Sequence, residues 1–228
     1  MWKSFIRLFT SRSCLSCENE LTGQENCVCF HCLSQIEQTG FHLHPDDNEL
    51  YCRFAGKVPV SGAASLFYFD KQGRLQKLLK ELKYNELPQV GLFLGELYGE
   101  ILKESAFAAG IEALLPVPLH RQRLISRGYN QAERIARGMS KSLGIPLRDG
   151  DLRRTHKTLT QTRKGSEDRW KNVAGAFAVQ APLPRTLLLI DDVITTGATL
   201  EAVVRAMTAA PDPPERILVA SIGMARKH

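Results

Sequence analysis

Apolar residues recur along this chain with two spacings that take turns. Leu75, Leu78, Leu79 and Leu82 fall at i, i+3, i+4 and i+7, with Lys77, Lys80, Glu81 and Lys83 at the polar positions between them, which predicts an amphipathic helix. Pro88 ends that helix or begins the next, and a second helical pattern covers 90–107. The same spacing returns over 129–143 through Ala132, Ile135, Ala136, Met139 and Leu143, with Gly144 placed as a C-cap. Short apolar runs with strand character lie between these segments: 63–69, ending in the turn 70–73, then 111–117 and 186–190. The last runs through a polar loop, 191–199, into a further helical stretch at 200–209. Apolar runs such as 186–190 suit strands buried on both faces. The succession of strand and helix therefore predicts an α/β fold around a parallel sheet, with its ligand site where loops leave the carboxyl ends of the strands.

Composition adds a second part. A chain of 228 residues that is 43% hydrophobic can bury one sizeable core and carry a small appendage, and the sequence divides into an N-terminal segment, 1–55, and a main domain, 56–228. No run is long and apolar enough for a transmembrane segment, and the opening residues lack the pattern of a cleaved leader, so the expected compartment is cytoplasmic. Trp2, Phe5, Ile6 and Phe9 follow helical spacing around Lys3 and Arg7, which suits a short helix packing on the domain better than one lying on a membrane. The net charge of +6 is unevenly spread: 120–171 holds 14 Lys and Arg against 5 Asp and Glu, so the remainder is net acidic. A basic stretch this local suits an anionic partner, a polyphosphate or a nucleic acid, although scattered surface charge would give the same count.

All six cysteines lie within the first quarter of the chain. Cys14-x-x-Cys17 and Cys29-x-x-Cys32, eleven residues apart, are two turns able to present four thiolates to one tetrahedral ion, the pattern of a closed structural zinc site. Cys27 and His31 are alternative ligands beside the second pair. Cys52 stands alone and reads as a small buried hydrophobe.

The polar loop carries the chemistry. Asp191-Asp192-Val-Ile-Thr195-Thr196-Gly197-Ala198-Thr199 follows a buried strand and opens a helix. Threonine hydroxyls, a glycine that lets the backbone come close, and helix N-terminal amides together make a phosphate cradle. Two adjacent carboxylates at a strand end repel each other unless a cation or hydroxyls occupy the space between, which a ribose diol with Mg²⁺ provides. The string resembles the PRPP-binding motif of type I phosphoribosyltransferases. That resemblance implies ribose hydroxyls on Asp191 and Asp192 and the 5′-phosphate on Thr195, Thr196, Gly197, Ala198 and Thr199.

Further segments extend the likeness: the paired CxxC turns, Leu82-Lys-Tyr84, Val117-Pro-Leu-His-Arg-Gln-Arg123 leading into Arg127-Gly-Tyr-Asn-Gln131, Thr160-Gln161 through Arg169-Trp-Lys-Asn172, and Gly175-Ala-Phe177. Together they resemble the ComF/GntX-like family of competence-associated type I phosphoribosyltransferase proteins almost end to end. The family implies a Rossmann-like parallel sheet flanked by helices with a small N-terminal zinc knuckle. It also implies a pyrophosphate loop near Arg121, Arg123 and Arg127, and a mobile hood over 156–172 carrying Arg163 and Arg169. Members often carry further cysteine pairs after the first knuckle, where this chain has Cys52. The expected activity is transfer of a phosphoribosyl group from PRPP to an unnamed acceptor, with Mg²⁺ and a structural Zn²⁺, in the context of DNA uptake and alongside competence or DNA-processing proteins. The alternative is a non-catalytic PRPP- or nucleotide-sensing module that binds single-stranded DNA. No general base stands out in the sequence, and fold alone does not decide between the two.

Overall fold

The computed structural model describes residues 13–85, 87–155 and 176–226. Six strands follow in chain order: β1 (Gly62–Phe69), β2 (Ala113–Pro116), β3 (Leu152–Arg154), β4 (Phe177–Val179), β5 (Thr186–Ile194) and β6 (Arg216–Ala225). The helices among the described residues are α1 (Phe30–Ser34), α2 (Arg74–Tyr84), α3 (Pro88–Lys103), α4 (Arg121–Arg127), α5 (Gln131–Leu143) and α6 (Ala198–Thr208). Four of the strands form one sheet in the order β1-β6-β5-β2, every pair parallel, while β3 and β4 make a separate antiparallel pair. The parallel α/β architecture expected from the sequence is thus present. Leu187 to Ile190 and Ile217 to Ala220 are buried without alternation, as strands covered on both faces must be.

Both edges of the sheet are covered. Beside β1, the Thr39 amide donates to the Leu66 carbonyl and the Tyr68 amide to the Glu37 carbonyl. Beside β2, the Leu114 amide donates to Pro146 and the Arg148 amide to Leu114. Pairing of this kind shortens the open row of donors and acceptors at each outer edge. A continuous hydrophobic core runs from Cys14, Val28 and Cys32 in the N-terminal segment through the sheet to Met224.

One helix pair is unusually close. A Cβ on Gly95 of α3 would lie 2.1 Å from the Ile135 carbonyl oxygen, and one on Gly138 of α5 would lie 2.2 Å from that of Leu92. The two backbones therefore touch, and larger side chains at either position would force them apart. This fixes α5, whose first residues face the crevice described below.

Several elements depart from the sequence expectation. The helical stretch over 90–107 ends at Lys103, and a separate 3-10 turn, Ala106–Ala108, follows it. α4 stands where a loop was expected; none of its residues is buried, so it has no apolar stripe to read. β5 does not stop at Ile190 but continues through the acid pair to Ile194, its register held by β6 with Asp191 opposite Ser221 and Val193 opposite Gly223. β6 itself was not foreseen. Cys52, read as buried, is exposed, because its neighbours Arg53 and Phe54 take the interior of their turn. The helix suggested by Trp2, Phe5, Ile6 and Phe9 and the hood at 156–172 lie outside the described residues.

The connections define where a ligand can sit. After β2 the chain passes through α4 and α5 to the strip at 146–148 on the outer side of β2, whereas after β5 it passes through α6 to β6 on the other side. The loops leaving the adjacent strands β2 and β5 diverge, and the crevice between their carboxyl ends is the position where parallel α/β sheets take ligands.

Candidate functional site

β2 ends at Pro116, four pairs into its ladder with β5, so β5 runs on beyond its neighbour and exposes one edge. Asp191 and Asp192 lie on this overhang. They line a cavity of about 520 Å³ with Thr195 and Thr199 from the loop, Lys83 and Tyr84 from the end of α2, Arg123 and Arg127 from α4, and Arg154 from β3. Four cations thus surround two carboxylates, a net positive lining that suits a ligand with several negative charges.

The acid pair is held in distinct ways. Asp192 forms an ion pair with Lys83 at 2.5 Å, both side chains being mostly buried. This supplies from the protein itself the cation that two adjacent carboxylates require. Burial, and after it the Asp192 carboxylate, push the Asp191 carboxyl up to about 8, against the Asp192 amide and the Lys83 ammonium. Asp191 Oδ1 accepts from the Asp192 amide at 2.8 Å, and Asp192 Oδ1 from the Val193 amide at 2.7 Å, which fixes both carboxylates relative to the strand.

Beyond Ile194 the chain turns through Gly197, whose φ of +87° is open to glycine at little strain. Thr195 through Thr199, with Asp191 and Leu200, enclose a hollow of about 30 Å³ at the start of α6. The N-cap residue, Gly197, has no side chain to cap α6; the Thr196 hydroxyl accepts from the Ala198 amide at 3.4 Å, and the amides that follow begin the helix beside this hollow.

The opposite wall is built by α4 and α5. Asn130 caps α5 by accepting from the Ala132 amide at 3.2 Å and also donates to the Val117 carbonyl at 3.0 Å, pinning the loop after β2 to the helix. Arg127 donates to Gln131 Oε1 at 2.9 Å and lies 5.3 Å from the Tyr84 ring centre. Burial and then the nearby Arg123 charge hold Arg154 below its ordinary range, with Asp191 acting the other way. The three side chains are thus electrostatic neighbours.

Of the residues singled out in the sequence, Asp191, Asp192, Thr195, Thr199, Arg123 and Arg127 share this cavity, and Thr196, Gly197 and Ala198 complete the hollow beside it. Arg121 instead lines an adjoining cavity of about 500 Å³ that also contains Glu133 and Asp149. Arg163 and Arg169 lie outside the described residues. Sequence reasoning passed over Lys83 and Arg154. Lys83 had a signal within the Leu82-Lys-Tyr84 segment, whereas Arg154 sits on a three-residue strand too short to show a pattern.

The four knuckle cysteines also come together. The sulfurs of Cys14, Cys17, Cys29 and Cys32 all lie within 4.8 Å of one another, with Cys17 and Cys29 3.8 Å apart. Amides of Ser16 and Cys29 point at Cys14 Sγ, and that of Cys32 at Cys29 Sγ, each at 3.4 Å. Burial raises the Cys14 thiol, but the amides of Cys29, Cys17 and Ser16 outweigh it and bring the group down to about 6. Such a donor set fits a structural zinc ion held by thiolates. Arg74 donates to Cys32 Sγ at 3.1 Å and Lys77 to the Ser16 carbonyl at 2.9 Å, so the first turn of α2 docks on the knuckle. Cys27 is buried apart from the cluster, its thiol pushed up to about 11 by desolvation, and His31 Nε2 lies 3.0 Å from Gln35.

No family model matches the chain. It is 28% identical over 206 residues to Competence protein F of Haemophilus influenzae, an alignment covering 86% of this chain and 90% of that protein. Competence protein ComFC of Streptococcus pneumoniae is 24% identical over 80% of this chain and 82% of its own length. DNA utilization protein YhgH of Escherichia coli is 27% identical over 55% of this chain and 57% of its own. Among solved structures, adenine phosphoribosyltransferase from Leishmania tarentolae superposes with a TM-score of 0.37 at 11% identity, covering 83% of this chain and 94% of that one. The enzyme from Leishmania donovani gives 0.36 at 12% identity, covering 69% and 83%. Over most of its length the chain is thus similar to competence proteins, a likeness that supports a ComF-like family.

Proposed function

We propose that the crevice between β2 and β5 binds PRPP and that the protein transfers its phosphoribosyl group to an acceptor with release of pyrophosphate, in a process of DNA uptake or utilisation. The observation that carries this reading is the position of Asp191 and Asp192 on the β5 overhang, between the hollow at Thr195 to Thr199 and the cations Arg123, Arg127 and Arg154. The 5′-phosphate takes the hollow and the α6 amides, and the carboxylates accept from the ribose hydroxyls. The arginines receive the pyrophosphate, whose oxygens gain charge as the bond to the anomeric carbon breaks. A bond from the acceptor to that carbon forms on the opposite face, and the acceptor's proton leaves with solvent. Asp191 and Asp192 would face Mg²⁺ carried in with PRPP, and the ion would offset part of the pyrophosphate charge. Arg163 and Arg169 are proposed as further contacts of the pyrophosphate, and Cys14, Cys17, Cys29 and Cys32 as ligands of a zinc ion that keeps the N-terminal knuckle folded.

No helix among the described residues is long and apolar enough to cross a membrane, which agrees with the proposed cytoplasmic location. The relatives' names, which speak of competence and DNA utilization and of no transferase activity, favour as second reading a module that senses PRPP without turnover and engages single-stranded DNA. A pyrophosphate-release assay with Mg·PRPP and a panel of nitrogenous acceptors separates the two. Release that requires one acceptor class and fails in Asp191→Asn supports the transferase. PRPP bound but released intact across the panel contradicts it and leaves the sensing module.

A further inference from the structure

A larger cavity, about 780 Å³, opens on the other side of the phosphate loop and meets the crevice at Phe69 and Thr195. Five cations line it, Arg53, Lys57, Lys71, Arg74 and Arg226, against two acids, Glu37 and Asp70. Three of the cations are engaged: Lys57 with Glu201 at 3.1 Å, Arg74 with Cys32 Sγ, and Arg226 with Glu37. Arg53 is different. It is 2% exposed and donates from Nη2 to the Ala225 carbonyl, while its Nε has no partner among the described residues. Its Cβ lies beside Gly197, next to the Phe54 ring, and its guanidinium reaches the Ala225 carbonyl at the end of β6. Burial holds the guanidinium below its ordinary range, with the charge of Glu49 acting the other way. A buried cation left with a free donor is expensive unless an anion completes it.

The same cavity carries a surface for a flat group. Arg226 lies 4.1 Å over the Tyr68 ring and is tied sideways to Glu37, while 53% of its side chain remains exposed. A guanidinium stacked on one ring and held in place by a carboxylate offers its outer face to a second ring. Ile36, Phe69 and Leu75 add apolar wall.

We propose that this cavity binds a phosphorylated ligand bearing a planar ring, of nucleoside-monophosphate size, with its phosphate at Arg53 and Lys71 and its ring against Arg226. The inference rests on the cavity's own lining and holds whether or not PRPP occupies the crevice. Lys71 stands in the exposed turn after β1, so its replacement leaves the core untouched. Calorimetric titration of the zinc-loaded full chain with 5′-UMP and 5′-AMP, beside uridine and inorganic phosphate, tests it. The expected result is saturable nucleotide binding, with uridine and phosphate each at least about tenfold weaker. Lys71→Gln and Arg53→Lys should each weaken the nucleotide by about tenfold, and Lys71→Gln should leave Mg·PRPP binding as in the wild type. Should Arg53→Lys fail to fold, Lys71→Gln carries the test alone. Nucleotide binding lost in Asp191→Asn/Asp192→Asn but kept in Lys71→Gln would place the ligand in the crevice and overturn the proposal. So would phosphate binding as well as the nucleotide, which would leave a bare anion site, or no nucleotide binding at all.

Discussion

Asp191 gathers the opposing requirements of fold and function into one side chain. Burial, with Asp192 beside it, keeps its carboxyl protonated up to about 8, whereas an unfolded chain releases that proton near 4. The stabilising effect of that proton is complete below about pH 4 and is lost as the pH rises through about 8. Asp191→Asn, which cannot ionise, is therefore expected to melt higher than the wild type in the absence of ligand. The gap should widen from about pH 4 to about pH 8 and reach on the order of ten degrees; thermal denaturation by circular dichroism across that range measures it. Equal melting temperatures at every pH would contradict the environment assigned to this carboxylate. The sequence made the acid pair legible as chemistry, because two adjacent carboxylates after a buried run have few structural uses. It did not reveal that Lys83 answers Asp192, or that Arg53 lies behind Gly197, since both contacts join residues more than a hundred positions apart.

At the level of elements, α2 links two parts of the molecule. Its first turn reaches the knuckle through Arg74 and Lys77, and its last turn places Lys83 on Asp192. A segment as short as the knuckle would gain much of its stability from the ion it is proposed to hold. Cys32→Ser is thus expected to lose zinc, measured by atomic absorption on the purified protein, and to lower the melting temperature of the whole chain rather than of a separate unit, because the core is continuous from Cys14 to Met224. Full retention of zinc in the variant would contradict the four-cysteine assignment. Helices with an apolar stripe, α2 and α5, were readable to within about two residues because their buried leucines, alanines and Met139 follow one face. α4 was not, having no buried face, and β3 and β4 were too short for any period to emerge. The extension of β5 through its acids is decided by pairing with β6, a long-range partner that local pattern does not expose.

Two adjoining concavities among the described residues carry the charge that bears on function. One faces the β5 overhang and combines the acid pair, the hollow at the start of α6 and arginines; the other lies beyond the Thr195 to Thr199 loop and is dominated by cations. Both open at the carboxyl end of the parallel sheet, where the divergent loops after β2 and β5 leave room. The sheet and its covering helices bring together residues from α2, α4, α5, β3 and β5, which explains why the basic stretch seen along the sequence becomes a lining only in three dimensions. The central claim is that the crevice recognises PRPP through its acid pair. Calorimetric titration of the zinc-loaded protein with Mg·PRPP, beside Asp191→Asn/Asp192→Asn, tests this most directly. The account predicts saturable binding to the wild type that falls at least about a hundredfold in the folded double variant, as expected when hydrogen bonds to two ribose hydroxyls, the one at Asp192 charge-assisted, are both disturbed. Equal binding by both proteins, or none by the correctly folded wild type, would contradict it.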